Sequence, residues 1–236
     1  MIHREDREEI AVLRLDHGKV SAIDSELLAL LEDRLDAVAA SAARALLLTG
    51  SGASFSAGVD LWRVLEGGET YLQGFLPAFR RTVERLFTFS RPVVAAINGH
   101  AIAGGCLLAL CCDYRIMASG GGRIGVPLLR VGVPFPGLCI EILRFVTGPR
   151  ARQLAYFGNT YPPEQACQLG LVDEVAGPEV LLDRALKVAG QLAAIPARTF
   201  QLTKRQLRQP VLQRVEHQEA ELEDSVTALW NDPEIH

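Results

Sequence analysis

Hydrophobic positions fall into short continuous apolar runs that alternate with stretches of helical spacing. Apolar runs at residues 10–15, 45–49, 93–97 and 114–118 are too short for helices, which predicts buried β-strands. After the first run, residues 17–19 predict a turn and Ser25 the cap of a helix that continues to about residue 42. Its apolar face comprises Leu27, Leu28, Leu31, Leu35 and Val38.

Two of the predicted strands run into glycine-rich turns that precede helices. One turn covers residues 50–58, before a helix that begins near Asp60, and the other covers residues 98–105. Glycine lets a backbone approach a ligand closely, and the first N–H groups of the following helix have no helical acceptor. Such donors suit a carbonyl oxygen that becomes negative during a reaction. Residues 98–110 contain no carboxylate, so this predicted site has no obvious acid or base beside it.

The rest of the chain predicts a change from alternating elements to helices. Glycines at positions 67, 68 and 74 predict a mobile loop before a helix over residues 77–89, and the chain is predicted mostly helical from Leu138. Strands and helices in alternation, followed by a helical tail, predict an α/β fold of stacked β-β-α units with a C-terminal helical layer. The acidic residues within 213–230 favour a solvated helix face over an acidic binding surface.

Composition narrows the functional classes. The 236 residues suffice for one large domain, and a net charge of −4 argues against general nucleic-acid binding. The apolar runs are shorter than the ~18 residues of a membrane helix, and the charged segment 1–9 lacks a signal-peptide core, so we expect a cytoplasmic protein with no membrane association. The five cysteines lack zinc-site spacing, which predicts reduced buried thiols and no metal site.

Residues 55–61 and 98–106 resemble the two oxyanion-hole motifs of the crotonase (enoyl-CoA hydratase/isomerase) superfamily. Residues 18–22, 112–116 and 164–175 resemble, in order, a first CoA-binding loop, the strand after the glycine helix and a late helix-turn-strand unit. The resemblance covers nearly the whole chain. It implies a crotonase-like spiral of β-β-α units over residues 1–195, with a C-terminal helical trimerisation region over residues 196–236. It also implies a homotrimer or a dimer of trimers.

The resemblance implies an acyl-CoA substrate, with coenzyme A as part of that substrate and no separate cofactor. By alignment, the backbone N–H groups of Ala57 and Gly104 form the oxyanion hole, where losing one donor typically costs ~10²- to 10³-fold in rate. The positions that match CoA-binding residues of the family are Lys19, Val20, Ala22, Ala57, Gly58, Val59, Asp60 and Leu61.

The chain departs from the family where hydratases carry two glutamates that hold a water. Those positions are Leu107 and Leu128, and simple isomerases need only the second carboxylate, which is also absent. Because leucine cannot transfer a proton, and general acid-base assistance contributes ~10²- to 10⁴-fold, we expect the usual hydration to be badly impaired.

Other residues are candidates for the missing acid or base. Glu141 leads, because its apolar neighbours would raise its pKa, although it could instead cap its own helix or pair with Arg144 or Arg130. Asp113 resembles a structural aspartate of the family that is hydrogen-bonded to backbone, and Cys106 is expected to be an inert buried thiol. The weaker candidates are His100, Glu66, Glu69 and Tyr71.

Three functions therefore stay open from the sequence. The first is an acyl-CoA thioester enzyme of the enoyl-CoA hydratase/isomerase type. The second is a non-catalytic acyl-CoA-binding homologue, and the third is a thioester hydrolase of the same fold.

Overall fold

A computed structural model describes residues 1–230, except for the side chains of residues 218–221, 223, 224 and 227. The strands are β1 Ile2–Arg7, β2 Ile10–Leu15, β3 Ala22–Ile23, β4 Ala45–Gly50, β5 Ser54–Ser56, β6 Gly58–Val59, β7 Val93–Ile97, β8 His100–Ile102, β9 Tyr114–Ala118, β10 Ile124–Gly125, β11 Thr160–Tyr161 and β12 Glu174–Ala176. The helices are α1 Ser25–Ala39, α2 Leu61–Phe87, α3 Gly104–Leu110, α4 Gly137–Thr147, α5 Ala151–Phe157, α6 Pro163–Leu169, α7 Leu181–Ala193 and α8 Ala197–Trp230. Short 3₁₀ turns cover Leu128–Val131 and Gly148–Arg150.

The strands form a spiral of β-β-α units, as predicted. Six strands make the main sheet in the order β1-β2-β4-β7-β9-β12, parallel except for the β1–β2 hairpin. A second sheet has the order β11-β10-β8-β5. Successive units place one strand in the main sheet and the next in the second sheet, as in β4 then β5 and β7 then β8. Each of these two units ends in a helix, α2 or α3, so both helices start beside the second sheet.

Both faces of the inner strands of the main sheet are buried, which explains why β2, β4, β7 and β9 are largely apolar runs. Along β4, Leu46 and Leu48 face a large core that includes α1 to α4, while Leu47 faces a smaller core under α7. Successive side chains of a strand point to opposite faces, so one run supplies both layers. The apolar face predicted for α1 is fully buried.

Three local predictions were wrong. Helix α1 is capped by Asp24, whose Oδ1 accepts from the Leu27 N–H at 2.8 Å, and it ends at Ala39 instead of about residue 42. The predicted mobile loop after residue 67 is part of α2, interrupted only where Gly68 adopts φ 53° and ψ −150°. Strands β1 and β8 were not predicted. Strand β1 is an edge strand with charged, exposed positions, a pattern that discourages edge-to-edge association.

The C-terminal helix α8 packs on α4 and buries both apolar and charged side chains, among them Val211, Val215, Lys204 and Arg208. The predicted boundary between residues 195 and 196 stays a prediction, and residues 231–236 of that predicted region lie outside the described chain. Within the described part, no helix combines the length and apolar character that crossing a bilayer requires.

Candidate active site

The two glycine loops of the sequence meet where the second sheet passes into α3. Gly58 has φ +90°, and a Cβ there would lie 2.6 Å from the Ile102 carbonyl oxygen and 3.1 Å from the Gly104 nitrogen. A Cβ on Gly105 would lie 2.2 Å from the Ser56 carbonyl oxygen. Only glycine fits at these two positions, because the opposing atoms belong to the backbone.

The residue before α3 holds a strained backbone. Ala103 has φ +49° and ψ −115°, a region that residues with a side chain rarely adopt, and its N–H donates to the Gly125 carbonyl oxygen at 2.8 Å. Such strain costs on the order of 1–3 kcal/mol and persists only where the surroundings enforce it. It fixes the direction in which α3 begins. The first-turn N–H groups of Gly104, Gly105 and Cys106 have no acceptor within the helix.

A cavity of about 150 Å³ opens at this point, and we call it the central cavity. Both predicted oxyanion residues line it, as do Leu107 and Leu128, the two positions where the sequence resemblance led us to look for glutamates. The lining residues, all apolar, are Ala57, Val59, Leu61, Phe75, Leu76, Phe79, Ile102, Ala103, Gly104, Leu107, Pro127, Leu128, Val131, Val133, Pro136 and Trp230. Among these described residues, none carries a titratable side chain.

The two predicted oxyanion donors differ in their present partners. The Ala57 N–H donates to the Val20 carbonyl oxygen at 3.0 Å, which ties the first glycine loop to the predicted CoA-binding turn. The Gly104 N–H is a first-turn donor without a helical acceptor. A ligand oxygen could therefore accept directly from the Gly104 N–H. To donate to the same oxygen, the Ala57 N–H must share or break its hydrogen bond to the Val20 carbonyl.

Of the residues predicted to bind CoA, Ala57, Val59 and Leu61 line this cavity. Strands β3 and β6 pair in parallel, with Ala22 opposite Gly58, so the two CoA segments form one small sheet. Lys19 and Val20 are exposed in the adjoining turn. Asp60 has a structural role, because its Oδ1 accepts from the N–H groups of Trp62 at 3.1 Å and Arg63 at 3.2 Å and so caps α2. CoA binding by these residues stays a prediction.

Glu141 lies outside the central cavity wall, and the structure favours its ion-pairing alternative. Its side chain is only 1% exposed. One carboxylate oxygen accepts from Arg144, one turn later in α4, and the other accepts from Arg214 of α8 at 2.7 Å. Arg144 is one of the two alternative partners that were predicted, and Arg214 is an additional partner that was not. With both oxygens bound, Glu141 joins α4 to α8 and does not face the site.

The weaker acid-base candidates also lie outside the cavity wall. His100 is half-buried in β8, Glu66 and Glu69 are exposed on α2, and the Tyr71 hydroxyl accepts from the Ser25 N–H at 3.2 Å. Burial raises the pKa of the Cys106 thiol to about 12, which keeps it protonated and unreactive near neutral pH.

Asp113 is structural and hydrogen-bonded to backbone, as predicted, but its two cationic partners were not predicted. Its Oδ2 accepts from the Val93 N–H at 2.8 Å and from Lys204 Nζ at 2.7 Å, and its Oδ1 accepts from Arg208 at 2.7 Å. We call Asp113, Lys204 and Arg208 the Asp113 cluster. Burial lowers the pKa of Lys204 to about 8, against the opposing effect of Asp113.

Sequence reasoning missed most of the apolar wall. Phe75 and Phe79 lie four residues apart on α2, and this helical spacing was the available signal. Trp230 carried no such signal, because it reaches the cavity from the far end of the chain.

Comparison with known proteins places this geometry in a family. Residues 5–231 match the family described as Enoyl-CoA hydratase/isomerase. The chain belongs to the enoyl-CoA hydratase/isomerase family. This membership confirms the resemblance drawn from the two glycine loops, and the enzymes named in the family matches are hydratases and isomerases acting on enoyl-CoA.

Several members of the enoyl-CoA hydratase/isomerase family are similar to this chain in sequence and in structure. Human mitochondrial enoyl-CoA delta isomerase 1 is 32% identical over 94% of this chain and 76% of its own. The solved human mitochondrial delta3-delta2-enoyl-CoA isomerase covers 99% of this chain and 93% of its own, with 30% identity and a TM-score of 0.93. A crotonyl-CoA hydratase from Syntrophomonas wolfei is 33% identical over 85% of this chain and 78% of its own.

Proposed function

We propose that this chain is an acyl-CoA thioester enzyme of the enoyl-CoA hydratase/isomerase type that polarises the thioester carbonyl. The supporting observation is that Ala57 and Gly104 line one apolar cavity at the start of α3. The carbonyl oxygen would accept from the Gly104 N–H, and from the Ala57 N–H once the Val20 carbonyl yields. Removing one such donor typically costs ~10²- to 10³-fold in rate, so the hole carries most of the proposed activation.

The cavity supports double-bond isomerisation better than hydration. A buried water needs two to four polar partners, as is typical of protein interiors. Among the described lining residues, Trp230 alone has a polar side-chain atom. Hydration would require this wall to hold a reactive water. Isomerisation of a 3-enoyl thioester needs no water, but it does need one base that takes a proton from C2 and returns it at C4, and none of the described lining residues has a titratable side chain for that role.

A second candidate is an acyl-CoA-binding homologue without catalysis. The observation that favours it is the apolar character of Leu107 and Leu128, which lie in the cavity wall where the family has carboxylates. This arrangement would keep binding and carbonyl polarisation but remove proton transfer. The third candidate, a thioester hydrolase, has no comparable support, because its water would face the same apolar wall.

Activity assays separate these candidates. Purified protein is offered crotonyl-CoA and 3-enoyl-CoA substrates of several chain lengths, and the absorbance of the conjugated thioester is followed. Formation of the conjugated product from 3-enoyl-CoA supports the isomerase. Acyl-CoA binding without any turnover supports the binder, and failure to bind any acyl-CoA contradicts both.

A carboxylate placed back in the wall sharpens the test. Leu128→Glu introduces a titratable group at a buried position, and Leu128→Gln is its matched control of the same size. Because general acid-base assistance is worth ~10²- to 10⁴-fold, we expect the glutamate variant to isomerise 3-enoyl-CoA faster than the glutamine variant by about that factor. Equal rates in two folded, ligand-binding variants would show that this position does not face the reacting carbons.

We further propose that the chain assembles as a homotrimer or a dimer of trimers through its C-terminal region. Helix α8 exposes Leu202 and Leu207 to more than half their extent, although its other face buries Val211 and Val215. Light scattering would measure the assembly. Deletion after Pro210 should expose apolar surface and disrupt it, and a truncated protein that stays a native-sized oligomer would contradict this.

A further inference from the structure

A second apolar cavity lies beside the central cavity. It has a volume of about 400 Å³, and we call it the outer cavity. Its described lining comes from α2, from the start of α4 and from α8. Most of these side chains are apolar, with Gln73 and Arg80 as the polar exceptions. The outer cavity is therefore larger than the central cavity and is also suited to a hydrocarbon chain.

Three residues line both cavities and so lie between them. Leu76 and Phe79 come from α2, and Pro136 is the residue before α4. We call these three residues the partition. Their neighbours on α2 belong to one cavity only, because Phe75 lines the central cavity and Leu72 lines the outer one. The lining of α2 thus changes from one cavity to the other at the partition.

The partition is held in place by packing. Phe79 is buried and stacks on Phe75, with ring centroids 5.9 Å apart, and Phe75 stacks in turn on Tyr71 at 5.4 Å. The ring of Pro136 fixes its own φ, which is −59°. Leu76 is half-buried, so shortening it should disturb the fold less than shortening Phe79.

The central cavity is too small for a long acyl chain. An apolar cavity of about 150 Å³ holds one benzene molecule, which is about six carbons. A chain whose carbonyl is held at Gly104 would fill this volume within about that length. Beyond it, the chain would have to pass the partition to reach the outer cavity.

We propose that the partition restricts this protein to short acyl chains and that opening it admits longer chains into the outer cavity. The inference rests on the proposed function, because it assumes that the acyl group occupies the central cavity. The alternative is a chain that already runs through both cavities. That arrangement would require Leu76 or Phe79 to move aside, and Phe79 is buried in its stack on Phe75.

The test measures binding as a function of acyl chain length. Calorimetry gives the affinity of the full chain for butanoyl-, hexanoyl-, octanoyl- and decanoyl-CoA, saturated ligands that lack the double bond of an isomerase or hydratase substrate. Each methylene that becomes buried tightens binding by about fourfold. Affinity should therefore rise about 15-fold from butanoyl- to hexanoyl-CoA and then level off, because the further carbons find no room in the central cavity.

Opening the partition should remove this limit. In Leu76→Ala, decanoyl-CoA is expected to bind about tenfold or more tightly than hexanoyl-CoA, since its last carbons enter the outer cavity. Phe79→Leu is a milder change of a buried residue and should shift the length preference in the same direction. Leu72→Ala is the matched control, because it enlarges the outer cavity from the same helix without altering the partition. Its dependence on chain length should match that of the parent chain.

The outcomes separate this inference from the proposed function. A parent chain that already binds decanoyl-CoA about tenfold more tightly than hexanoyl-CoA would overturn the role of the partition. Retained hexanoyl-CoA binding without any gain for longer chains, in both Leu76→Ala and Phe79→Leu, would overturn it as well, as would an equal gain in Leu72→Ala. If the parent chain binds no acyl-CoA at all, the proposed function is wrong, and this inference is wrong with it.

Discussion

The two ends of α3 bury polar groups in opposite ways. At its start, the N–H groups of the first turn lie beside a cavity whose side chains are carbon except for one indole nitrogen. Just past its end, the Cys111 carbonyl accepts from Arg208 at 2.7 Å, and both oxygens of Asp113 are bound by cations. One helix of seven residues thus separates donors without partners from a fully partnered charge cluster.

The charged end stabilises the fold, and the apolar end is where we propose that the acyl group binds. Buried polar groups in native proteins are almost always satisfied, so we expect a bound ligand to accept from the N–H groups at the apolar end. Helix α8 serves both ends. Its Lys204 and Arg208 anchor it to the charged end, and Trp230 closes the apolar end. Substitutions that remove ion-pair partners at the charged end, or that alter packing at the cavity end, test this difference between the two ends.

The largest expected effect is at the charged end. Asp113→Ala would leave Lys204 and Arg208 buried without a counter-charge, and breaking a buried ion pair in this way costs about 3–5 kcal/mol. Urea unfolding followed by circular dichroism measures the loss. Asp33→Asn, an exposed acidic position on α1, is the control and should stay within about 0.5 kcal/mol of the parent chain. A comparable loss in both variants would contradict the structural role of the Asp113 cluster.

At the cavity end, neighbouring glycines should respond differently. Gly105→Ala places a Cβ 2.2 Å from the Ser56 carbonyl, so the first glycine loop must move, and such overpacking costs about 1–3 kcal/mol. Gly104→Ala meets the end of the flexible Ile23 side chain at 3.0 Å and should cost less. Thermal unfolding and acyl-CoA affinity measure the two. Equal losses would show that the loops are not held in direct contact.

Sequence reasoning succeeded where local pattern decides structure. The predicted main-sheet strands are largely apolar runs that are buried, and the two glycine turns that precede helices are confirmed as close backbone approaches. It failed where packing overrides local preference. Gly67 and Gly74 predicted a loop, yet α2 continues because Leu72, Phe75 and Phe79 are buried along it.

The site was predictable as a backbone feature but not as a chemical environment. Glycine spacing located the Gly104 donor, because the need for glycine in a tight backbone turn is visible in the local sequence. The partners of Glu141 and Asp113, and the presence of Trp230 in the wall, depend on α8 folding back over elements more than fifty residues away. No local pattern encodes such contacts, so the Arg214 partner of Glu141 was missed.

The pH dependence of stability tests the Asp113 cluster again, with a smaller effect. Burial lowers the pKa of Lys204 to about 8, below its ordinary 10.5. Below pH 8 both folded and unfolded chains hold the proton, so this residue adds no pH dependence. Between pH 8 and 10.5 the unfolded chain holds a proton that the folded chain releases, so stability should rise by about 1 kcal/mol per pH unit. Urea unfolding of the parent minus Lys204→Met isolates this slope, and a difference that stays flat or falls would contradict it.

The smallest effect is expected at Glu141, where α4 meets α8. Arg144 and Arg214 keep about half of their side-chain surface in water, so Glu141→Gln leaves two solvated cations and should cost less than about 1 kcal/mol. Because both carboxylate oxygens are bound outside the cavity, turnover of 3-enoyl-CoA should be unchanged. A loss of ~10²-fold or more with binding intact would instead be the signature of a proton-transfer group. That result would mean that Glu141 leaves its arginine partner on α8 and reaches the ligand. The ion-paired residues would then belong to the ligand site and would not be separate from it.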